Sequence, residues 1–316
     1  MGEFVAAPTE SNFEGIVPLP EGNVWYESVG LPSDTTPLVI VHGGPGYTDY
    51  LDTLKGLANY GRPTVLYDQL GCGKSDRPED PALWTLERSV KELEQVIGEV
   101  SSQFGNKNFH LLGHSFGATV VAEYLLRKEP DNVSCVILAS PLLNTELYIK
   151  DTNKLINQLP DPAGFRRDIA EFEKNGTEGT PQHNAFQRRV KEFEDLHTYG
   201  EGAVNHPAKL AADESFGEGP YLTMWGPSEF MATGNLVGLD LTKELRSLHY
   251  PILYTGGELD AVVPERLAFF RELTPGSEVV IFNGAAHMPH LEQTDLYNEV
   301  VERFLRENEV ETTKSL

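Results

Sequence analysis

The sequence predicts an α/β protein: a mostly parallel central sheet, flanking helices and a helical insertion. Three observations point there. Short apolar runs rich in β-branched residues recur at Leu38–His42, Thr64–Asp68, Phe109–Gly113, Val133–Ala139, Pro251–Gly256 and Glu278–Phe282, with helical patterns between them. That rhythm lapses between about residues 141 and 240 and resumes at Pro251 as though uninterrupted. The 316 residues, 40% hydrophobic and 9% aromatic, are enough to bury a large core, which excludes wholesale disorder.

Leu86 to Phe104 is the clearest crossover helix. Leu86, Val90, Leu93, Val96, Ile97, Val100 and Phe104 recur at helical spacing and form one apolar stripe to lay on the sheet. A second helix is expected over Phe116 to Lys128, and two more after Pro264 and Glu292. The lapse in rhythm places a helical cap at residues 141–240, with residues 1–140 and 241–316 forming the core. Amphipathic patches at Phe165 to Phe172 and Phe186 to Phe193 fit helices in that cap. The Gly-, Pro- and Asn-rich stretches 174–184 and 199–207 are expected to be mobile loops within it.

Charge narrows the function classes. Twenty-five Lys and Arg against 48 Asp and Glu give a net charge of −23, a field that repels phosphate backbones and anionic headgroups, so neither nucleic acid nor a membrane surface is expected as a partner. Two cysteines, Cys72 and Cys135, cannot build a disulfide framework and fit a reducing compartment. The start, MGEFVAAPTESNFEG, carries acids where a signal peptide needs bases, and no stretch approaches the roughly 18 apolar residues of a membrane span. Gly2 does not make a myristoylation motif, which needs Ser or Thr where the chain has Ala6, and Lys314-Ser315-Leu316 is a scrambled peroxisomal tripeptide. The expectation is a cytoplasmic protein.

The strongest chemical signal is Gly113-His114-Ser115-Phe116-Gly117, a G-x-S-x-G pattern between a strand and a helix. A sharp turn there holds a serine hydroxyl above the sheet beside a helix N-terminus, and the flanking glycines relieve its crowding. A serine hydroxyl needs a base to take its proton and an acid to orient that base. In the chain order of the α/β-hydrolase fold both follow the serine. Asp260, in Gly257-Glu258-Leu259-Asp260, and His287, after Asn283-Gly284-Ala285-Ala286, sit at carboxyl ends of strands, where such sheets form their crevices. Glu258 is the competing acid and His290, at the start of the next helix, the competing base. His287-x-x-His290 lacks a third ligand of matching spacing, so no metal is expected.

A tetrahedral intermediate needs preorganised N–H donors for its negative oxygen. His42-Gly43-Gly44-Pro45-Gly46 follows a strand and supplies a glycine-rich turn; the N–H groups of Gly44 and Phe116 are the expected oxyanion hole. Asp68 to Ser75 ends in Gly-Lys-Ser but has Asp68 where a phosphate loop needs glycine, so it reads as a structural turn with Cys72 as a small filler.

With HGGPG, DQLGCGKSDRP, GHSFG, GPSEF, GELD and GAAH in order, the chain resembles the proline iminopeptidase (prolyl aminopeptidase) family of the α/β-hydrolase superfamily from about Leu38 to Leu305. The resemblance implies a cofactor-free serine hydrolase that removes an N-terminal residue, often proline, from small peptides or amides, with Ser115, Asp260 and His287 as triad. It also implies acidic side chains that bind the substrate's free amino group. Glu229 is the matching carboxylate, either binding that amine or serving as a buried, hydrogen-bonded structural group, with Tyr221 a pocket wall and Gly43 and Trp225 further substrate contacts. The family's second carboxylate directly follows the triad aspartate, where this chain has Ala261, and its Cys-Arg pair after a cap-helix histidine is replaced by Thr198-Tyr199 after His197. These departures imply a divergent specificity. Two alternatives stand beside the peptidase reading: an amide or ester hydrolase or acyl-transfer cyclase acting on a small metabolite, and a non-catalytic receptor that keeps the pocket.

Overall fold

The computed structural model describes residues 13–30, 35–105 and 108–309. Gly2, Ala6 and Lys314 to Leu316, on which the lipidation and targeting readings fall, lie outside the described residues. The chain opens with a hairpin, β1 (Phe13–Leu19) and β2 (Gly22–Val29), followed by β3 (Leu38–Val41), β4 (Thr64–Tyr67), α1 (Leu86–Gln103), β5 (Phe109–His114), α2 (Phe116–Lys128) and β6 (Val133–Ala139). Six helices come next: α3 (Thr145–Ile156), α4 (Pro162–Asn175), α5 (Pro181–His197), α6 (Gly200–Ala203), α7 (Pro207–Ser215) and α8 (Glu218–Met224). The alternating rhythm then returns with β7 (Ile252–Gly257), α9 (Pro264–Leu273), β8 (Glu278–Phe282), α10 (Pro289–Glu292) and α11 (Thr294–Glu307).

The eight strands form one sheet in the order β1-β2-β4-β3-β5-β6-β7-β8. β1, β2 and β4 pair antiparallel; every pairing from β4·β3 to β7·β8 is parallel. This is the α/β-hydrolase fold. Alternate residues of the central strands enter two separate cores. Val39, Val41, Leu111, Val136, Leu138 and Tyr254 pack on one face, and Leu38, Ile40, Leu112, Ile137 and Leu253 on the other. Burial on both faces explains why these strands read as continuous apolar runs. On the first face lies α1, capped by Thr85, whose hydroxyl accepts the Arg88 N–H (3.2 Å), and burying Val90, Leu93, Val96, Ile97 and Val100.

Two regions differ from the sequence expectation. The β1–β2 hairpin, unpredicted, exposes most of β1, including Phe13 and Ile16, so it lacks the apolar run that marks the central strands. Parts of the expected mobile loops are helical. The Thr180 hydroxyl accepts the His183 N–H and Pro181 occupies the first turn, so α5 begins inside 174–184; residues 200–203 form α6. No helix among the described residues is long and apolar enough to cross a membrane.

Candidate active site

Ser115 sits in the turn between β5 and α2 with φ 54° and ψ −118°, a sparsely populated conformation that costs on the order of 1–3 kcal/mol for a residue with a side chain. The surroundings enforce it. Ser115 N–H donates to Ala139 O (2.8 Å), and its carbonyl accepts the N–H groups of Ala118 (3.1 Å) and Leu142 (3.3 Å). A Cβ on Gly113 would lie 2.4 Å from Gly117 O, and one on Gly117 would lie 2.1 Å from Val41 O. The two motif glycines are therefore demanded by backbone packing, which brings α2 down against β3 and β5.

Asp260 and His287 follow β7 and β8 and meet beside this turn. His287 Nδ1–H donates to Asp260 Oδ1 at 2.7 Å; the same oxygen accepts Val262 N–H (2.8 Å), and Oδ2 accepts the Ser140 hydroxyl (2.6 Å). Burial lowers the affinity of the His287 ring for a proton, yet the Asp260 carboxylate, with Glu229 adding to it, holds the ring above the usual histidine range. The competitors lie elsewhere. Glu258 is exposed and accepts the Gly284 N–H (2.8 Å). His290 lies in α10 among the rings of Tyr50, His114 and Tyr297, and burial pushes its pKa down to about 3.

The Gly43–Gly44 turn faces Ser115 from β3. Gln69 N–H donates to His42 Nε2 (2.9 Å), so the proton of this neutral ring is on Nδ1, which donates to Gly43 O (2.9 Å). Burial, which pulls His42 down to about 4, keeps it neutral. Gly44, at φ 105°, lines a cavity together with Ser115 and His287. Phe116 opens α2 with its ring buried, so its N–H is one of those that an α-helix leaves without an intrahelical partner. Gly43 corrects an expectation. Its N–H is committed to Tyr50 Oη (2.8 Å), and a Cβ there would lie 2.8 Å from His114 O; its part is close backbone approach, not substrate contact.

The cavity encloses about 310 Å³. The strand ends contribute Ser115, Gly44 and His287 to it, and the helical segment contributes Glu194, Tyr199, Asp213, Phe216, Tyr221 and Glu229. Glu229 is held by two phenols, Tyr148 Oη donating to Oε2 (2.9 Å) and Tyr221 Oη to Oε1 (3.0 Å). Trp225 does not face the cavity as expected: it is buried, with Nε1–H donating to Ser228 O (2.9 Å) and its ring edge-on to Tyr148. Above the Gly43–Gly44 turn the junction of α7 and α8 is bonded to the core, Gly217 N–H donating to Gly46 O (2.8 Å) and the Ser215 hydroxyl to Asp49 (2.6 Å).

Sequence reasoning missed several of these groups. Glu194, on α5, joins Glu229 and Asp213 as a cavity carboxylate despite Ala261; burial and then the charge of Glu229 push its pKa up to about 8, with Lys209 opposing. Ala261 itself is buried and donates its N–H to His197 O (3.2 Å). Ser140 follows β6 and Tyr148 lies on α3, where a single serine or tyrosine has no distinguishing spacing. Among the described residues no group of three or more His, Cys, Asp or Glu is arranged to hold a metal ion.

The profile of the alpha/beta hydrolase fold family matches residues 36–294. The proline iminopeptidase of Heyndrickxia coagulans is 37% identical over 301 residues, covering 92% of this chain and 98% of that protein. That of Clostridium botulinum is 33% identical over 298 residues, covering 94% and 99%. Among solved structures, the proline iminopeptidase of Mycobacterium smegmatis superposes with a TM-score of 0.81 at 26% identity, covering 94% of this chain and 98% of that one. VinJ gives a TM-score of 0.84 at 25% identity, covering 95% and 100%. Fold, profile and near full-length similarity agree: the chain belongs to the proline iminopeptidase family of the α/β-hydrolase superfamily and is a serine hydrolase of that type.

Proposed function

We propose that the protein cleaves the amide bond after an N-terminal, proline-like residue whose amino group is free. The observation that carries this reading is one cavity holding both Ser115 and a tyrosine-held carboxylate, Glu229. The two phenols occupy one acceptor position on each oxygen and leave the others for a substrate ammonium. Glu194 supplies a further carboxylate, and the rings of Tyr47, Phe216 and Tyr221, stacked edge to face at 5.4–6.0 Å, make an apolar wall suited to a compact ring. In this reading residues 141–240 act as a cap, and two free, buried thiols support a cytoplasmic setting.

The chemistry follows from the groups present. Ser115 Oγ attacks the carbonyl carbon as His287 Nε2 takes the hydroxyl proton, while Asp260 holds Nδ1–H and stabilises the imidazolium. The negative oxygen is met by the N–H groups of Gly44 and Phe116. Collapse breaks the C–N bond, and the proton on His287 passes to the departing amine. Water then gives a proton to His287 and its oxygen to the acyl carbon, and as the ester C–O bond breaks His287 returns that proton to Ser115 Oγ, releasing the free acid. The test is a panel of prolyl and other aminoacyl arylamides, simple acyl esters and their N-blocked versions. Free-amine substrates should be strongly preferred; equal turnover of N-blocked ones would leave the small-molecule amidase or esterase reading in its place.

A further inference from the structure

We propose that Tyr50 and His114 are positioning residues, forming a hydrogen-bond relay that ties the oxyanion turn to the backbone of the catalytic base. The inference rests on the roles just given to Gly44 and His287. His114 is the second residue of the serine motif and touches no reacting atom in the mechanism above, yet it is 1% exposed and both of its ring nitrogens are bonded.

The direction of every bond in the relay is determined. His114 Nε2 lies 2.9 Å from His287 O, and a carbonyl only accepts, so Nε2 carries the proton. Burial, reinforced by His287 and His290, keeps the ring neutral, which leaves Nδ1 as an acceptor. Tyr50 Oη, 2.8 Å away, therefore donates to Nδ1, and the same oxygen accepts the Gly43 N–H at 2.8 Å. Three buried bonds point one way, from Gly43 through Tyr50 and His114 to His287. Such a chain polarises itself, and breaking it strands buried polar groups.

Both ends of the relay matter geometrically. Gly43 O is held by His42 Nδ1–H and by Tyr47 N–H (3.3 Å). The Gly44 N–H of the same planar peptide points the opposite way. With Gly43 N–H fixed on Tyr50 as well, the orientation of the oxyanion donor is set on both sides. At the far end, His287 O takes its buried donor from His114 Nε2–H, since the Ser140 hydroxyl proton is committed to Asp260 Oδ2 at 2.6 Å. The relay thus fixes the distance between the group that takes the proton and the group that receives the negative charge, two elements far apart along the chain.

The test is Tyr50→Phe, which keeps the ring stacked on Tyr47 and edge-on to His114 but removes the hydroxyl. Wild type should react with a fluorophosphonate probe. The variant should react roughly ten- to hundredfold more slowly, as a modest misplacement of reacting groups predicts. On a prolyl arylamide kcat should fall by a similar factor while KM changes little. His114→Phe should show the same loss, and the double variant no more than either single, because each cuts one chain; if Tyr50→Phe fails to fold, His114→Phe alone decides. Labelling and kcat at the wild-type level in a folded variant, a loss confined to KM, or multiplying losses in the double variant would overturn the relay and leave the hydrolase reading standing. A wild-type enzyme that does not label would overturn both.

Discussion

The strand ends and the helical segment above them build one cavity by different means. Ser115, Asp260 and His287 stand on turns directly after β5, β7 and β8, each held by backbone or buried hydrogen bonds. Glu194, Tyr148, Tyr221 and Glu229 come from helices α5, α3 and α8 and from the loop after α8, and Tyr148 and Tyr221 grip Glu229 through side chains. In the proposed mechanism the first set makes and breaks bonds and the second chooses what is bound. Substitutions should separate the two.

The largest effect belongs to the strand ends. Ser115→Ala should lower kcat by roughly four to six orders of magnitude, with KM and the thermal midpoint little changed, since the turn is held by its backbone and not by the hydroxyl. Stopped-flow or long-incubation assays on a prolyl arylamide read the rate, and calorimetry reads the fold. A variant retaining even a hundredth of the activity would mean that the attacking group lies elsewhere.

Next in size is the helical segment. Glu229→Gln keeps the shape but removes the charge that faces the ammonium. KM for free-amine substrates should rise about ten- to hundredfold, the equivalent of 1.5–3 kcal/mol for a charge-assisted bond. An N-blocked ester should be hydrolysed as by wild type. A fall in kcat shared by both substrates would instead place Glu229 in the chemistry and dissolve the division between the two regions.

That division also governs what the sequence could reveal. The serine turn was legible because its backbone admits only glycine at 113 and 117, a constraint written as a motif. The central strands were legible because two buried faces leave an unbroken apolar run. β1 was not, since its outer positions meet water and its pattern is weak. Glu194 and Tyr148 escaped for a related reason: on an amphipathic helix any position can carry a carboxylate or a phenol, and only the packing of α5 and α3 over the strand ends turns them inward. The places of Trp225 and Gly43 in the chain suggest substrate contacts, whereas the fold uses one as wall support and the other for close approach.

A pH dependence sharpens the same boundary. With its pKa pushed up to about 8, Glu194 is largely neutral at pH 7 and gains its charge as pH rises through about 8. An ammonium binds the ionised form better, so the inhibition constant of a strongly basic cyclic amine, protonated throughout the range, should fall as pH rises through that value and then level off. In Glu194→Gln the dependence should be flat. The His287 titration acts on turnover from the other side: a ring held above the usual histidine range must lose its proton before it can serve as base, so kcat should rise with pH through that higher value. Coincident curves for inhibitor binding and kcat would show one group governing both.

The smallest effect is expected from Cys72, a core residue beneath the junction of α7 and α8. Its thiol is 3.1 Å from Gln69 O, and its Cβ lies where a Cβ on Gly217 would come within 3.0 Å of it. Burial, with Asp68 and Glu92 adding, pushes the thiol well above its ordinary value, so it is protonated and shielded. Iodoacetamide applied to the native enzyme should leave activity unchanged, and Cys72→Ala should cost about 1 kcal/mol of stability with kcat within twofold. Rapid inactivation by alkylation at Cys72 would mean that the junction lifts from Gly46 on the timescale of turnover. The helical segment would then open at the oxyanion turn itself, where the bonds from Gly217 and Ser215 now hold it, and selection and chemistry would share one moving part.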